Sequence, residues 1–379
     1  MSLVYREKSR MKFVTLLAIE TLAMSFGFVP PQTLSKDALA LLEFKKGIQK
    51  DPLGHVLNSW NEESVDGNGC PSSWHGIVCN NGMVTGIDLS NLNLSGEIQL
   101  GILNNLKTLQ NINLFNNYLK GKLSAELGTL QSIQYIDLSD NLFHGTIPVE
   151  IGDMQSAQNL SFAGNKLAGA IPDSIGGMSA LQNLDLSRNS FSGRVPSTLT
   201  NLQHLVYLNL SSNTISGELP TDLEQLPGLK SLDFHENKLS VSIDLALMLL
   251  TIAQYIDMSC NMLSGSLPWK MTVIPSFTRS LQYLNLSNNR LTGSLLSDDS
   301  IPLFDSLKVM DISSNPLTGQ LPTFHFVYVL EVLRLSNNQF SGFIPFTLLG
   351  RDSSVLIEFD LSHNNISGNV LRIYFIALN

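Results

Sequence analysis

The sequence predicts an α/β-type repeat solenoid, in which short parallel strands stack into a concave sheet behind an N-terminal helical cap. Three observations carry this expectation. From Gly86 onward the pattern apolar-x-apolar-x-x-Asn-x-apolar returns, with its Asn at 117, 141, 165, 189, 213, 237, 261, 289, 315, 338 and 364. The first six steps are 24 residues each and the later ones 23 to 28, and Leu92 holds the equivalent place in a first copy, giving twelve copies. Most copies continue into Gly-x-apolar, about half of them with Ser before the Gly and many closed by Pro, as in LDLSRNSFSGRVP from Leu184 to Pro196. Finally, 43% of the 379 residues are hydrophobic and only 15% charged, so the chain buries a long apolar core. A unit of this length covers its apolar side only by stacking on its neighbours.

The N-terminal segment comes first. Arg6, Lys8, Arg10 and Lys12 precede an apolar run from Phe13 to Phe28, with Ser25 and Gly27 placed as a small-x-small cleavage signal. Residues 1–27 therefore read as a secretory signal peptide, started at Met1 or Met11, and secretion permits disulfides and glycans. Residues 28–85 form the expected cap. Ser35 is placed to cap a helix carrying Leu39, Leu42 and Phe44, with Lys45 and Lys46 near its negative end and Asp51-Pro52 beyond it.

Residues 86–370 are the expected solenoid. Apolar residues two apart, such as Leu184 and Leu186, point to one side of a strand, while Asp185 and Ser187 point to the other. The Asn ends the strand, where its amide serves backbone groups that the turn leaves unpaired. The Gly that follows marks a turn. Copies differ from this frame where KLSVSIDLALMLL replaces the Gly and Pro, and where Trp269–Arg279 and Asp298–Asp299 lengthen the interval. Residues 371–379 fit neither a repeat nor a cysteine-bearing C-terminal cap, so they read as an atypical, truncated tail.

The period and pattern are those of leucine-rich repeats, and Ser-Gly-x-Ile-Pro, as in Phe340–Pro345, resembles their plant-specific class. LALLEFKKGI, LNSW and CPSSWHGIVC together resemble the N-terminal cap of plant receptor-like proteins. That resemblance implies a Cys70–Cys79 disulfide. Over residues 35 to about 370 the chain most resembles the ectodomains of plant receptor-like kinases, in particular the guard-cell hydrogen-peroxide-resistance type, which place a solenoid outside the cell before a membrane span and a kinase-like domain.

Chemistry is sparse. A net charge of −9 excludes a phosphate backbone as partner. His235-Glu236 begins like a zinc-protease motif, but Leu239 stands where the second ligand belongs, and no nucleophile elbow, phosphate loop or kinase signature follows. The seven histidines lack zinc-ligand spacing, so neither enzyme activity, metal nor cofactor is expected. Cys260 is expected as a tolerated, partly buried thiol.

Binding is the better expectation. Tyr135, Tyr207, Tyr255 and Tyr283 stand at the outward position before the first repeat apolar, and Phe115, Arg188, His235, Glu236 and Arg334 replace the usual Ser, Asn or Asp on that face. Tyr and Arg concentrate binding energy at interfaces. Sequons at Asn93, Asn159, Asn209, Asn285 and Asn365 add glycan sites, and sugar at Asn209 and Asn285 would leave His235, Glu236, Tyr255 and Asp257 as the open patch. The resemblance implies a peptide ligand or a receptor-kinase ectodomain as partner. It also implies a membrane link only through a missing C-terminal part or a partner, with the chain on the extracellular face of the plasma membrane or secreted to the apoplast. A second reading is a secreted enzyme inhibitor similar to polygalacturonase-inhibiting proteins, and a third is a non-functional receptor fragment.

Overall fold

The computed structural model describes residues 34–65, 69–220, 223, 226–240, 242–243, 253–267, 280–295, 306–321, 329–344 and 355–367. The signal segment 1–27, the insertions Trp269–Arg279 and Asp298–Asp299, most of the irregular stretch from Lys238 to Leu250 and the tail 371–379 lie outside them.

The cap opens with helix α1, Lys36–Lys45, whose first turn is closed by Ser35 Oγ accepting from the Ala38 amide at 3.1 Å. The buried side of α1 is Ala38, Ala40, Leu41 and Phe44, while Leu39 is exposed. Lys45 Nζ leaves the helix end to donate to the carbonyls of Leu57 and Trp60, tying α1 to the next segment. Asp51 Oδ2 accepts the amides of Val56 and Leu57 and so holds the turn after Pro52. Phe44, Trp60 and Trp74 pack in series, with Trp60 and Trp74 stacked at 5.5 Å, and both indole N–H groups find oxygen partners. The Cys70–Cys79 disulfide closes the cap.

Beyond the cap the strands stack. One sheet has thirteen strands; Ile77–Asn80 pairs antiparallel with Met83–Asp88, and every later pair is parallel. From Asn111–Asn113 through Glu358–Asp360 each strand is three residues long, and in each except the last the middle one is buried. Leu184, for instance, is fully enclosed while Asn183 and Asp185 are half-exposed on the concave side. A second sheet of eight strands runs along the flank through the Ser-Gly segments, and a third of three continues it near the C-terminal end. Single 3-10 turns from Leu100–Asn105 to Ser197–Asn201 cover the back. Cap and solenoid meet closely at Gly96, where an added Cβ would lie 2.0 Å from the Gly47 carbonyl oxygen.

The asparagine ladder is present and explains the repeat. Asn213 Nδ2 donates to the carbonyls of Leu210 and Ser211 in its own copy and of Leu186 in the preceding one, while its Oδ1 accepts the Phe191 amide. One buried amide thus pairs four backbone groups that a turn inside the core strands. The same set recurs from Asn117 to Asn364. In the first copy Leu92 and Leu94 offer their amides to Asn117 instead of carrying an Asn of their own.

Candidate functional site

Strand alternation puts two rows of side chains on the concave face. The first strand residue of each copy forms one row, reading Asn111, Tyr135, Asn159, Asn183, Tyr207, Ser231, Tyr255, Tyr283, Val309, Val332 and Glu358 in register. The third forms the other, reading Asn113, Asp137, Ser161, Asp185, Asn209, Asp233, Asp257, Asn285, Asp311, Arg334 and Asp360. The sheet converts a 24-residue period into adjacency.

The four tyrosines lie here as expected, and each is half-buried. Tyr135 donates to Asp137 Oδ2 at 3.1 Å, Tyr207 to Asp185 Oδ2 at 3.5 Å and Tyr283 to Asp257 Oδ2 at 3.3 Å. Tyr255 and Tyr283 stack at 4.4 Å, a pairing that neighbouring strands permit and that fixes both rings. Burial, reinforced by these aspartates, pushes the phenols up, Tyr135 to about 12, so they stay protonated donors.

His235 stands where other copies carry serine. Ser259 and Ser313 each donate an amide and a hydroxyl to the aspartate two residues earlier; His235 donates its amide at 3.1 Å and Nδ1 at 2.8 Å to Asp233 Oδ1 in the same way. Burial raises the Asp233 carboxyl above its usual range, with Asp257 adding to the rise and His235 opposing it. Asp233, His235 and Asp257 bring ligand atoms within 4.8 Å of one another, a set the linear spacing of the histidines does not reveal. Asp257 spends both oxygens on Ser259, Tyr283 and Asn285, which suits a hydrogen-bond hub better than a metal ligand.

Ser212, His235 and Asp233 line up as a hydroxyl, an imidazole and a carboxylate. The hydroxyl, however, donates to Glu236 Oε2 at 2.7 Å, while His235 Nε2 is 3.4 Å away. A proton already given to a carboxylate leaves no histidine-activated nucleophile.

The remaining expected residues are spread out. Phe115 lies toward the N-terminal end of the face. Arg188 pairs with Asp140 at 2.9 Å. Arg334 forks onto Glu358 at 2.6 and 2.8 Å and reaches Asp311 at 3.5 Å, so the chain neutralises its own acidic row at that point. Tyr207, His235, Glu236, Tyr255, Asp257 and Tyr283 form the one concentrated patch among the expected residues. Sequence reading missed Asp185, Ser231 and Asp233, which look ordinary in their copies; only the aligned rows single them out. Cys260 is exposed, contrary to expectation, and burial by its surroundings with Asp257 and Glu236 nearby raises its thiol, which disfavours the thiolate.

Two of the sequons are open and three are not. Asn93 and Asn365 are exposed. Asn159, Asn209 and Asn285 are half-buried in strands; Asn209 Nδ2 donates to Asp185 and Tyr207, and Asn285 Nδ2 to Asp257.

Known proteins share this architecture. Residues 34–80 match the leucine rich repeat N-terminal domain, and residues 132–154, 181–239, 280–300, 306–325 and 329–350 match leucine-rich repeats. The chain is a leucine-rich repeat protein. Over 116 residues, 31% of this leucine-rich repeat protein, it is 50% identical to the LRR receptor-like serine/threonine-protein kinase GHR1 of Arabidopsis thaliana, of which that stretch is 11%. It is 43% identical over 90 residues to the Arabidopsis thaliana receptor-like kinase SKM1, 24% of this chain and 9% of that one. The matched stretches are thus a small part of these relatives. Among solved structures, the Arabidopsis receptor kinase HAESA in complex with the peptide hormone IDA and the co-receptor SERK1 superposes with a TM-score of 0.69 at 30% identity, over 89% of this chain and 59% of that one. The plant peptide hormone receptor RGFR1 in complex with RGF2 gives 0.68 at 30% identity, over 76% and 44%.

Proposed function

We propose that this leucine-rich repeat protein is the extracellular recognition part of a plant receptor-like protein, binding a peptide or a co-receptor ectodomain on its concave and lateral surfaces. One observation carries the reading: the tyrosines and aspartates of the central copies are joined into a preorganised, half-buried surface rather than left as separate solvated side chains. Anchors held in place before binding lose little freedom on binding. Relatives that are receptor kinases and solved likenesses that hold peptide hormones support the same reading. Recognition without catalysis agrees with the Ser212 geometry, and no helix among the described residues is long and apolar enough to cross a membrane. A secretory route is the localisation this function needs.

The test replaces His235, Glu236, Tyr255 and Asp257 together by alanine and measures the affinity of the secreted chain for peptides selected on it from a random twelve-residue library. A loss of at least 10-fold, with unchanged circular dichroism, is expected, since two or three anchors at about 1–2 kcal/mol each are removed. Unchanged affinity contradicts the assignment.

A further inference from the structure

The acidic row has one irregularity. From Asp137 to Asp311 neutral residues separate the aspartates, Ser161 between Asp137 and Asp185, Asn209 between Asp185 and Asp233, and Asn285 between Asp257 and Asp311. Asp233 and Asp257 alone are direct neighbours within that stretch. Two carboxylates one strand spacing, about 4.8 Å, apart repel each other at neutral pH. Where carboxylates crowd again, at Asp311 and Glu358, the chain places the guanidinium of Arg334 between them. At Asp233 and Asp257 no lysine or arginine of the chain pairs with either carboxylate among the described residues.

The tyrosine row has a gap at the same place. Ser231, the small residue in register between Tyr207 and Tyr255, is followed two residues later by Asp233. Tyr207 leans away from the gap toward Asp185, and Tyr255 is held by its stack on Tyr283. Two strand spacings set the bounding rows about 10 Å apart at the sheet, which leaves room for a flat group of about 3.5 Å thickness against either ring. Among the described residues the hydrogen bonds to Asp233 come from His235 and go to Oδ1.

We propose that the notch over Ser231, walled by Tyr207 and Tyr255 and floored by Asp233 beside Asp257, receives an arginine side chain of the partner. A guanidinium is planar, stacks on an aromatic face and forks onto carboxylates, so it can lie against one wall while it reaches the floor. This inference rests on the recognition reading above and names the chemistry of its ligand.

The experiment uses the secreted full chain and twelve-residue peptides selected on it from a random library, with each arginine then replaced by citrulline, which keeps the shape and removes the charge. The expected result is at least one arginine whose replacement weakens binding 10-fold or more, and whose contribution falls below 2-fold in Ser231→Leu and in Asp233→Asn. Both variants keep the buried strand residue Leu232, and circular dichroism checks the fold. Peptides that protect the concave tyrosines from nitration yet bind equally with citrulline would overturn the notch and leave the recognition reading standing. Peptides that protect none of those tyrosines would overturn both. Binding of zinc chloride alone at micromolar concentration, abolished by Asp233→Asn and blocking the peptides, would assign the carboxylates to a metal and overturn the arginine.

Discussion

The residue just before each ladder asparagine has a positive φ: +53° at Asn116 and Arg188, +54° at Glu236 and Cys260, +55° at Asn288. Asn tolerates this region because its short amide bonds locally, whereas Arg, Glu and Cys sit there at a cost of roughly 1–2 kcal/mol each. The stack imposes it, since the amide of each such residue donates to the next copy, Cys260 to the Ser287 carbonyl at 2.9 Å. Cys260→Asn, matching the Asn found at 116, 288 and 337, is therefore expected to raise stability by about 1 kcal/mol, read as a higher melting temperature. No change, or a loss, would show that the turn is not strained. Asp233 gives a prediction of the opposite electrostatic kind. Because its folded pKa is raised, ionisation costs the fold stability as pH rises from the unfolded value of about 4 through the folded one. Asp233→Asn should match or exceed the parent's melting temperature at pH 7, with the advantage vanishing below about pH 4, whereas an advantage that grows on acidification contradicts the raised pKa.

At the scale of elements, the sequence showed the ladder because an amide required at one point in every turn leaves an Asn at a fixed period. It did not show the positive-φ residue, since backbone pairing forces that conformation on whatever side chain stands there, Arg188, Ser212 or Cys260 alike. The tyrosines were legible for the reason the ladder was, by position in the frame. Asp233 and Ser231 were not, because their meaning comes from neighbours 24 residues away that only the sheet brings alongside. Nor was the inward side of α1, where the small Ala38 and Ala40 pack and Leu39 does not. The cap adds a separable contribution. Reducing the Cys70–Cys79 bridge, which closes a short loop, should cost about 2–3 kcal/mol and speed hydrogen exchange in α1 and Ile77–Asn80 first. The central strands should keep their protection, because contacts in a stack run only between neighbours; uniform loss would argue for one cooperative block.

At the scale of the whole molecule, the stack makes a long ruler of similar units, and the proposed recognition rests on the few side chains facing inward. Those of the copies from Tyr207 to Tyr283 are tied together by stacking and by phenol–carboxylate bonds, whereas Arg188 and Arg334 are already paired within the chain. Recognition of a peptide should therefore centre on that stretch rather than on the flank sheet. Tyrosine nitration reads this most directly, with the chain free and saturated with a library-selected peptide. Slowed modification of Tyr207, Tyr255 and Tyr283 by several-fold, with exposed Tyr118 on the flank unchanged, is the predicted result. Equal rates at the three concave tyrosines with and without peptide, or protection of Tyr118 instead, would contradict the account.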